Sequence, residues 1–206
     1  MVAFRPMATQ EERSAASLAK LMDAARALFR AEGYAATSVD DITGAAALTK
    51  GAFYHHFTDK KAIFQAVFEE AEAELQAHIK AAAVSDDRWI MLKTGCLAFL
   101  DITLDPGTAR LLLREGPSVL GWDLWRDICT RHSLGLISGG IRAVIKAGQI
   151  PPRPTEPLAA AIYGALTEAA RYLAQLDDPA AALPCARAEV ELMLQALLMP
   201  PRPPAP

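Results

Sequence analysis

The chain has 206 residues, enough for one compact domain or for a small domain joined to a larger one. Hydrophobic residues make up 52%, charged residues 22% and the formal net charge is −3, which excludes a polybasic nucleic-acid coat and an acidic disordered chain. No apolar stretch reaches the roughly 18 residues of a membrane span, and the first twelve residues lack the apolar core of a secretory signal. Three scattered cysteines without a C-x-x-C pair predict neither a disulfide framework nor a zinc site, and favour the reducing cytoplasm.

Apolar residues recur at intervals of three and four along almost the whole chain, and glycine and proline separate the resulting segments. The first segment, residues 17–31, has one apolar face and ends before Gly33. No run of β-branched residues in strict alternation predicts a strand, so the predicted fold class is all-α. Beyond residue 80, helices are predicted at 87–103, 107–115, 122–146, 157–176 and 179–198.

Three segments near the N-terminus begin with residues that favour helix N-caps. The candidate caps, in chain order, are Thr37 or Ser38, then Thr49, then Thr58 or Asp59. The first two of these helices are short and are joined by about three residues. This is the spacing of a helix-turn-helix unit, whose second helix enters the major groove of DNA.

The two sides of the second short helix, residues 50–56, differ in chemistry. Steps of about 100° around the helix axis place an apolar group on one side: Ala52, Phe53 and His56, with Thr49 at its edge. The other side holds a cation, a position without a side chain, a phenol and an imidazole: Lys50, Gly51, Tyr54 and His55. Such groups bind phosphate oxygens and base edges, and glycine permits close approach of the backbone. This side is therefore the candidate DNA-reading surface.

Two runs of residues in this region resemble the DNA-binding region of the tetracycline-repressor (TetR) family. They are residues 33–42, Gly-Tyr-Ala-Ala-Thr-Ser-Val-Asp-Asp-Ile, and residues 48–60, Leu-Thr-Lys-Gly-Ala-Phe-Tyr-His-His-Phe-Thr-Asp-Lys. The motif resemblance covers about residues 18–68, and beyond residue 70 only the length and the number of helices are similar. It implies a homodimer that binds a palindromic double-stranded DNA operator, usually as a repressor. It also implies that a small-molecule inducer binds in an all-α C-terminal domain and releases the protein from the operator.

The resemblance also implies which residues contact DNA. Carried over by position, eight residues are expected to face the operator: Thr37, Ser38, Thr49, Lys50, Gly51, Tyr54, His55 and Lys60. Thr37 and Ser38, before the first short helix, and Lys60, after the second, would contact phosphates. Thr49, Lys50 and Gly51 would lie nearest the bases, and Tyr54 and His55 would hold the DNA backbone.

Two features depart from a typical DNA-binding member. Many relatives have glycine in the turn where this chain has Ala47, and a left-handed backbone there would cost a residue with a Cβ roughly 1 kcal/mol. Residues 1–61 hold eight basic and seven acidic side chains, a small excess for a protein that neutralises phosphates. An all-α small-molecule-binding dimer without sequence-specific DNA binding is the alternative that these features leave open.

The second part of the chain contains a stripe of large apolar residues with one imidazole. Its members recur at intervals of three and four: Trp122, Trp125, Cys129, His132 and Leu136. Apolar bulk with a few polar groups is what a small-molecule pocket needs, so we expect Trp89, Phe99, Trp122, Trp125, Cys129 and His132 to bind a lipophilic or aromatic effector. Ordinary core packing or dimer packing explains the same stripe equally well.

The remaining expectations concern assembly, domain bounds and catalysis. The last two predicted helices are similar in position to the dimer interface of the family, and packing within one subunit is the alternative. The expected organisation is a flexible arm at 1–13, a helix-turn-helix domain at 14–61, a ligand-binding and dimerisation domain at 62–199 and a disordered Pro-rich tail at 200–206. No Gly-rich phosphate loop, nucleophile elbow or metal motif is present, so neither an enzyme nor a cofactor is predicted.

Overall fold

In a computed structural model, residues 9–198 are described, and they contain helices but no strand. The chain forms two compact units that divide between Phe68 and Glu69, rather than at the boundary expected at residue 61. Residues 1–8 and 199–206 lie outside the described part, and so do most of the predicted arm and the whole predicted Pro-rich tail. Within residues 9–198 no helix combines the length and the apolar character that crossing a bilayer requires.

The first helix, α1 (Gln10–Ala31), begins earlier than the sequence stripe suggested. The Thr9 side chain accepts a hydrogen bond from the Glu12 amide at 3.2 Å, and the Glu12 carboxylate accepts one from the Thr9 amide at 2.7 Å. This reciprocal capping box starts a helix at once, so residues 10–13 are helical and the prediction that they belong to a flexible arm is wrong.

The two short helices follow where the caps predicted them. Ser38 caps α2 (Val39–Ala45) and Thr49 caps α3 (Lys50–His56), each through its side-chain oxygen. Ala47 between them adopts the left-handed conformation, with φ of 51°. As a result, the Leu48 amide donates to the Thr43 carbonyl at 2.9 Å and the Ala47 amide to the Gly44 carbonyl at 3.1 Å. These two bonds form a Schellman motif, so the turn keeps its usual geometry without glycine.

The core of the first unit consists mainly of fully buried apolar side chains from α1, α3 and the beginning of α4 (Lys60–Ala82). Phe29 of α1 meets Phe64 of α4 edge-on, with ring centroids 5.3 Å apart, and Tyr34 completes the cluster at 5.0 Å from Phe64. Phe53 of α3 has no exposed surface. Burial of Phe53 against this core fixes which side of α3 faces solvent.

The second unit is a helical domain in which α9 packs against α5 and α10. Its helices, after the part of α4 that belongs to it, are α5 (Arg88–Phe99), α6 (Pro106–Ala109), α7 (Gly116–Leu120), α8 (Trp122–Arg131), α9 (Ser133–Lys146), α10 (Thr155–Leu173) and α11 (Pro179–Gln195). The predicted end of a helix at Gly116-Pro117 is wrong. A π-helical turn, Arg110–Glu115, carries the chain from α6 into α7, and the Gly116 amide donates to the Leu111 carbonyl. Pro117 stands at the start of α7, where its missing N–H costs little.

The predicted helix at 122–146 is two helices, because the backbone breaks at His132 (φ −114°, ψ −105°). At this break the start of α9 comes very close to the end of α8. A Cβ on Gly135 would lie 2.6 Å from the Thr130 carbonyl oxygen, so only glycine fits there without movement. The expected stripe of apolar residues is therefore divided between two helix axes after His132.

Candidate DNA-binding and ligand-binding sites

The exposed side of α3 is the one predicted from helical periodicity. Phe53 is buried and Ala52 and His56 are half-buried, whereas the predicted reading residues are exposed: Lys50, Gly51, Tyr54 and His55. Tyr54 keeps 57% of its surface accessible although its ring touches Phe53. The rings of His55 and His56 lie edge-on with centroids 4.9 Å apart, closer than two residues diverging around a helix would suggest.

The glycine on this side has no packing role within the protein. A Cβ on Gly51 would meet a single atom, the Thr49 hydroxyl oxygen, at an ordinary distance of 3.6 Å. Thr49 itself caps α3, since its oxygen accepts the Ala52 amide at 3.2 Å. Helix α3 therefore presents a bare backbone patch at its first turn, next to an exposed hydroxyl and an exposed lysine.

Lys50 is paired in the structure. Its ammonium lies 2.7 Å from the Asp40 carboxylate at the start of α2, and both side chains are well exposed. The hydrogen bond to Asp40 and its charge raise the pKa of Lys50, so the lysine remains protonated. An operator contact by Lys50 must compete with this surface pair.

Thr37 and Ser38 are both engaged inside the protein. The Thr37 hydroxyl is buried and donates to the Gly33 carbonyl at 2.8 Å, so the predicted phosphate contact by this hydroxyl is wrong. Ser38 is exposed, but its hydroxyl bonds the Asp41 carboxylate at 2.6 Å and caps α2. These bonds from Ser38 lower the pKa of Asp41, which stays ionised at the helix start where a phosphate was expected.

Lys60 holds a loop instead of projecting freely. Its ammonium donates to the carbonyls of Tyr34 and Thr37, both at 2.7 Å, and lies 4.1 Å from the centre of the Tyr34 ring. Two of its three donors are thereby used within the protein. Lys60 therefore fixes the loop that leads into α2, and its contact with a flanking phosphate stays a prediction.

The second unit contains an apolar cavity of about 500 Å³ between α4, α5, α9 and α10. Large apolar side chains supply much of its wall: Ile79, Met91, Leu92, Phe99, Leu136 and Leu166. Its charged lining residues are two cations, Lys80 and Arg88, and both are exposed. Gly139 of α9 leaves open space in its wall, since a Cβ there would meet no atom within 4 Å.

A smaller cavity of about 180 Å³ lies in the same unit and is rich in aromatic rings. Trp122, Trp125, Tyr163 and Phe99 line it, and Trp122 and Trp125 stand with ring centroids 5.1 Å apart. Glu72 of α4 also lines it and is only 2% exposed. Burial raises the pKa of Glu72, while nearby Ser133 and Cys129 partly offset that effect.

Cys129 and Tyr163 share this buried environment. The Cys129 sulfur lies 3.7 Å from the Glu72 carboxyl, and burial together with that carboxyl raises the pKa of the thiol to about 12. Burial likewise raises the pKa of the Tyr163 phenol. Both groups are therefore neutral near pH 7, and they surround Glu72 without supplying a positive charge.

The predicted ligand residues divide unevenly between the cavities. Phe99 lines both, and Trp122 and Trp125 line the smaller one. Cys129 is buried beside Glu72, outside either lining. Trp89 and His132 line neither cavity, which corrects their assignment. The Trp89 amide donates to the Asp87 and Gln149 side chains at the start of α5. His132 lies at the break between α8 and α9.

Sequence reasoning missed Glu72 and Tyr163, which complete the aromatic cavity. An acidic residue in an amphipathic helix is normally solvent-exposed, although a spacing of four from Phe68 places Glu72 on the buried side of α4. Its position three residues before the buried Leu75 was a further hint.

Within residues 9–198 no group of three or more His, Cys, Asp or Glu side chains could hold a metal ion.

Comparison with known proteins agrees with this division of the chain. Residues 21–67 match the model of the bacterial regulatory proteins of the tetR family, and residues 89–197 match that of the tetracyclin repressor-like C-terminal domain. A crystal structure of a TetR-family transcriptional regulator from Pectobacterium atrosepticum has 37% sequence identity and a TM-score of 0.78. That match covers 95% of this chain and all of the other.

Two curated relatives point the same way. The transposon Tn10 TetC protein of Escherichia coli is 29% identical over 141 residues, which span 68% of this chain and 72% of that protein. The regulator AcrR of Shigella flexneri is 33% identical over 100 residues, which span 45% of this chain and 44% of AcrR. AcrR is a helix-turn-helix transcriptional regulator, and the comparisons give no support to a ligand-binding dimer without operator binding.

Members of this family bind operator DNA as homodimers and respond to small-molecule effectors, and many of them are repressors. The helix-turn-helix unit at the N-terminus and the helical second unit with its cavities fit both activities. The chain belongs to the tetR family of bacterial transcriptional regulators.

Proposed function

We propose that this regulator reads its operator with the exposed side of α3 and the residues at its start. Thr49, Lys50 and Gly51 approach the base edges, while Tyr54 and His55 hold the DNA backbone. The observation that carries this assignment is Gly51: it is exposed, and the protein's own packing leaves room for a side chain there. A glycine that the fold does not require is explained by close approach of a partner.

Selection of bound sequences from random duplex DNA tests this proposal. We expect a palindromic consensus, because a symmetric dimer reads two half-sites. With that operator, Gly51→Ala is expected to lower affinity by about tenfold or more, since a methyl group stands between the helix and the bases. Gly44→Ala in α2, another exposed helical glycine at which a Cβ is accommodated without a clash, is the matched control and is expected to keep wild-type affinity. Equal affinity for both variants would remove α3 from the interface.

The larger cavity is proposed as the effector site. Its volume of about 500 Å³ falls in the range of small-molecule sites, and its mainly apolar wall suits a lipophilic ligand. Anilinonaphthalene sulfonate, an apolar anionic dye, is a suitable probe because Lys80 and Arg88 are the charged lining residues. We expect dye fluorescence to rise on binding and Gly139→Leu, which projects a side chain from the cavity wall, to suppress it. An unchanged titration with the variant would place the dye elsewhere.

Dimerisation is proposed to use α10 and α11. Tyr172 and Leu192 are exposed by 61% and 60%, although they are large and apolar, and small residues of α10 such as Gly164 leave room for close approach. Val190 and Leu194 of α11 are buried within the subunit. One side of α11 therefore packs inside the subunit, and its other side is left for the partner subunit. Sedimentation of Leu192→Glu is expected to give monomers with an unchanged helix content. A dimer of wild-type stability would exclude α11.

A further inference from the structure

The aromatic cavity contains two buried polar atoms without partners. Oxygen Oε2 of Glu72 and the hydroxyl oxygen of Thr167 have no hydrogen-bond partner, and both residues line the cavity. Among the described residues no cation pairs with Glu72. A carboxyl group in a protein interior is costly unless a partner satisfies it, so these atoms indicate a missing polar partner in the cavity.

The walls show which kind of partner fits. Trp125 and Tyr163 have ring centroids 6.4 Å apart, and Phe99 stands 5.9 Å from Tyr163, so several aromatic rings surround one small space. Aromatic faces attract cations, most strongly where water is excluded. Arg126 already lies 6.0 Å from the Trp122 ring and 5.8 Å from that of Tyr163. These rings therefore accept a positive charge, yet no hydrogen bond or ion pair among the described residues joins Arg126 to Glu72.

The other groups around Glu72 bring no positive charge to it. Cys129, Ser133 and Tyr163 are neutral. Arg171 lines the same cavity, but its side chain is 45% exposed and lies 3.7 Å from the Glu168 carboxylate. A charge at such a position is screened by water and by its own acid.

We propose that this cavity binds a small organic cation, such as a protonated amine, whose charge favours the ionised form of Glu72 and pairs with it, and whose apolar part packs against the aromatic rings. The proton that Glu72 holds in the empty cavity passes to the solvent when the cation binds. This site goes beyond the effector cavity proposed above, with which it shares only Phe99 among the lining residues. The small volume of about 180 Å³ restricts it to compact ligands. A neutral ligand can use the rings and can donate a hydrogen bond to Oε2, but it brings no charge to the carboxylate.

Calorimetric titration of the full-length protein without DNA tests the proposal with two probes of the same shape. Benzylamine is protonated at pH 7, whereas benzyl alcohol is neutral. We expect saturable binding of benzylamine with at least about tenfold higher affinity than that of the alcohol. Because no DNA is present, failure of operator recognition cannot affect this result. Equal affinities, or no saturable binding of benzylamine, would overturn the proposal.

Two variants separate the contributions of charge and ring. Glu72→Gln keeps the shape of the side chain and is expected to lower benzylamine affinity about tenfold. It should change the affinity of the alcohol much less, because the amide oxygen still accepts a hydrogen bond. Glu74→Gln, an exposed position on the same helix, is the matched control and leaves both affinities unchanged. Trp122→Leu, at a ring that is 65% exposed, tests the aromatic wall with little cost to folding and is expected to weaken benzylamine several-fold. Wild-type benzylamine affinity in Glu72→Gln would overturn the assignment of the carboxylate.

Discussion

The Lys50 ammonium and the Asp40 carboxylate lie 2.7 Å apart, so an acid of α2 neutralises the lysine at the start of the proposed reading helix. Both side chains are exposed, and a pair of this kind contributes little to folding. Under the proposed assignment its effect is on recognition: DNA that contacts Lys50 would have to displace Asp40, and the carboxylate would stay close to the phosphates. Asp40 is one of the seven acidic residues that leave residues 1–61 with only a small positive charge, and it lies at the point where contact is expected.

Asp40→Asn is therefore expected to raise operator affinity, roughly two- to fivefold at low salt, because it frees Lys50 and removes a like charge facing the phosphates. Fluorescence anisotropy at several salt concentrations measures the effect, which should shrink as salt rises. Asp123→Asn also removes an exposed acid from a first helical turn, that of α8, and serves as the control without an effect. Unchanged or weaker binding by a folded Asp40→Asn would mean that Lys50 does not contact the operator.

The sequence predicted one part of the DNA-binding unit well and another part poorly. The faces of α3 follow from helical periodicity, since Phe53 must enter the core and its opposite side then faces solvent. The roles of Thr37 and Lys60 depend on tertiary contacts that periodicity does not describe. Thr37 turns its hydroxyl back to Gly33, and Lys60 reaches across 23 and 26 positions to two loop carbonyls. A basic or hydroxyl residue in a DNA-binding motif can equally well hold the motif together.

Lys60→Met is expected to destabilise the DNA-binding unit by roughly 1–3 kcal/mol, because it leaves the Tyr34 and Thr37 carbonyls without their charged donor. Thermal unfolding followed by circular dichroism measures the loss. Lys61→Met, at the exposed neighbouring position, is the control and should unfold like the wild type. If Lys60 mainly holds the loop, the slope of operator affinity against salt stays the same in a folded Lys60→Met protein. A slope that is smaller by about one, with unchanged stability, would show instead that Lys60 contacts a phosphate.

Ala47→Gly is expected to stabilise the protein by roughly 1 kcal/mol. Ala47 has φ of 51°, where a Cβ is strained, and the Schellman motif requires that conformation. Ala45→Gly, two positions earlier and inside α2, is the matched control and should destabilise, because helical glycine loses more backbone freedom. Urea unfolding of the two variants gives opposite signs if this account holds. A destabilised Ala47→Gly would show that the unfolded-state entropy of glycine exceeds the strain.

Glu72 predicts a pH dependence of folding. Burial raises its pKa above the ordinary value of 4.5, so the folded protein retains a proton that the unfolded chain releases. The stability from this group is fully present below pH 4.5 and is lost as pH rises through the raised pKa. Cys129 and Tyr163 beside it stay neutral over that interval. Glu72→Gln removes the titration, so its stability relative to wild type is expected to increase with pH. Unfolding free energies near pH 5 and near pH 8 measure this, and a constant difference would contradict a raised pKa.

The second unit was predictable as a set of helices but not in its breaks. Helical apolar spacing runs without interruption across residues 122–146, and no proline marks His132. The break becomes visible only through Gly135, which allows α9 to start beside the carbonyl of Thr130. At Gly116-Pro117 the sequence predicts the end of a helix, but the chain stays helical there. The π-helical turn Arg110–Glu115 leads directly into α7 through this Gly-Pro pair. The start of α9 after the break contributes Ser133 and Gly135 to the larger cavity, and the π-helical turn contributes Leu112 and Leu113 to the smaller one. The sequence therefore named several aromatic wall residues without assigning them correctly to one site.

Gly135→Ala tests whether the close approach at the break is necessary. A Cβ there would lie 2.6 Å from the Thr130 carbonyl oxygen, which is backbone and cannot turn away as a side chain would. We expect a loss of roughly 1–3 kcal/mol in the free energy of unfolding, as for other forced overpacking. Gly139→Ala on the same helix meets no atom within 4 Å, so it should be neutral or slightly stabilising through its helix propensity. If the two variants unfold alike in urea, α8 and α9 can separate at His132 without cost, and the break would be a hinge between the helices instead of a fixed joint.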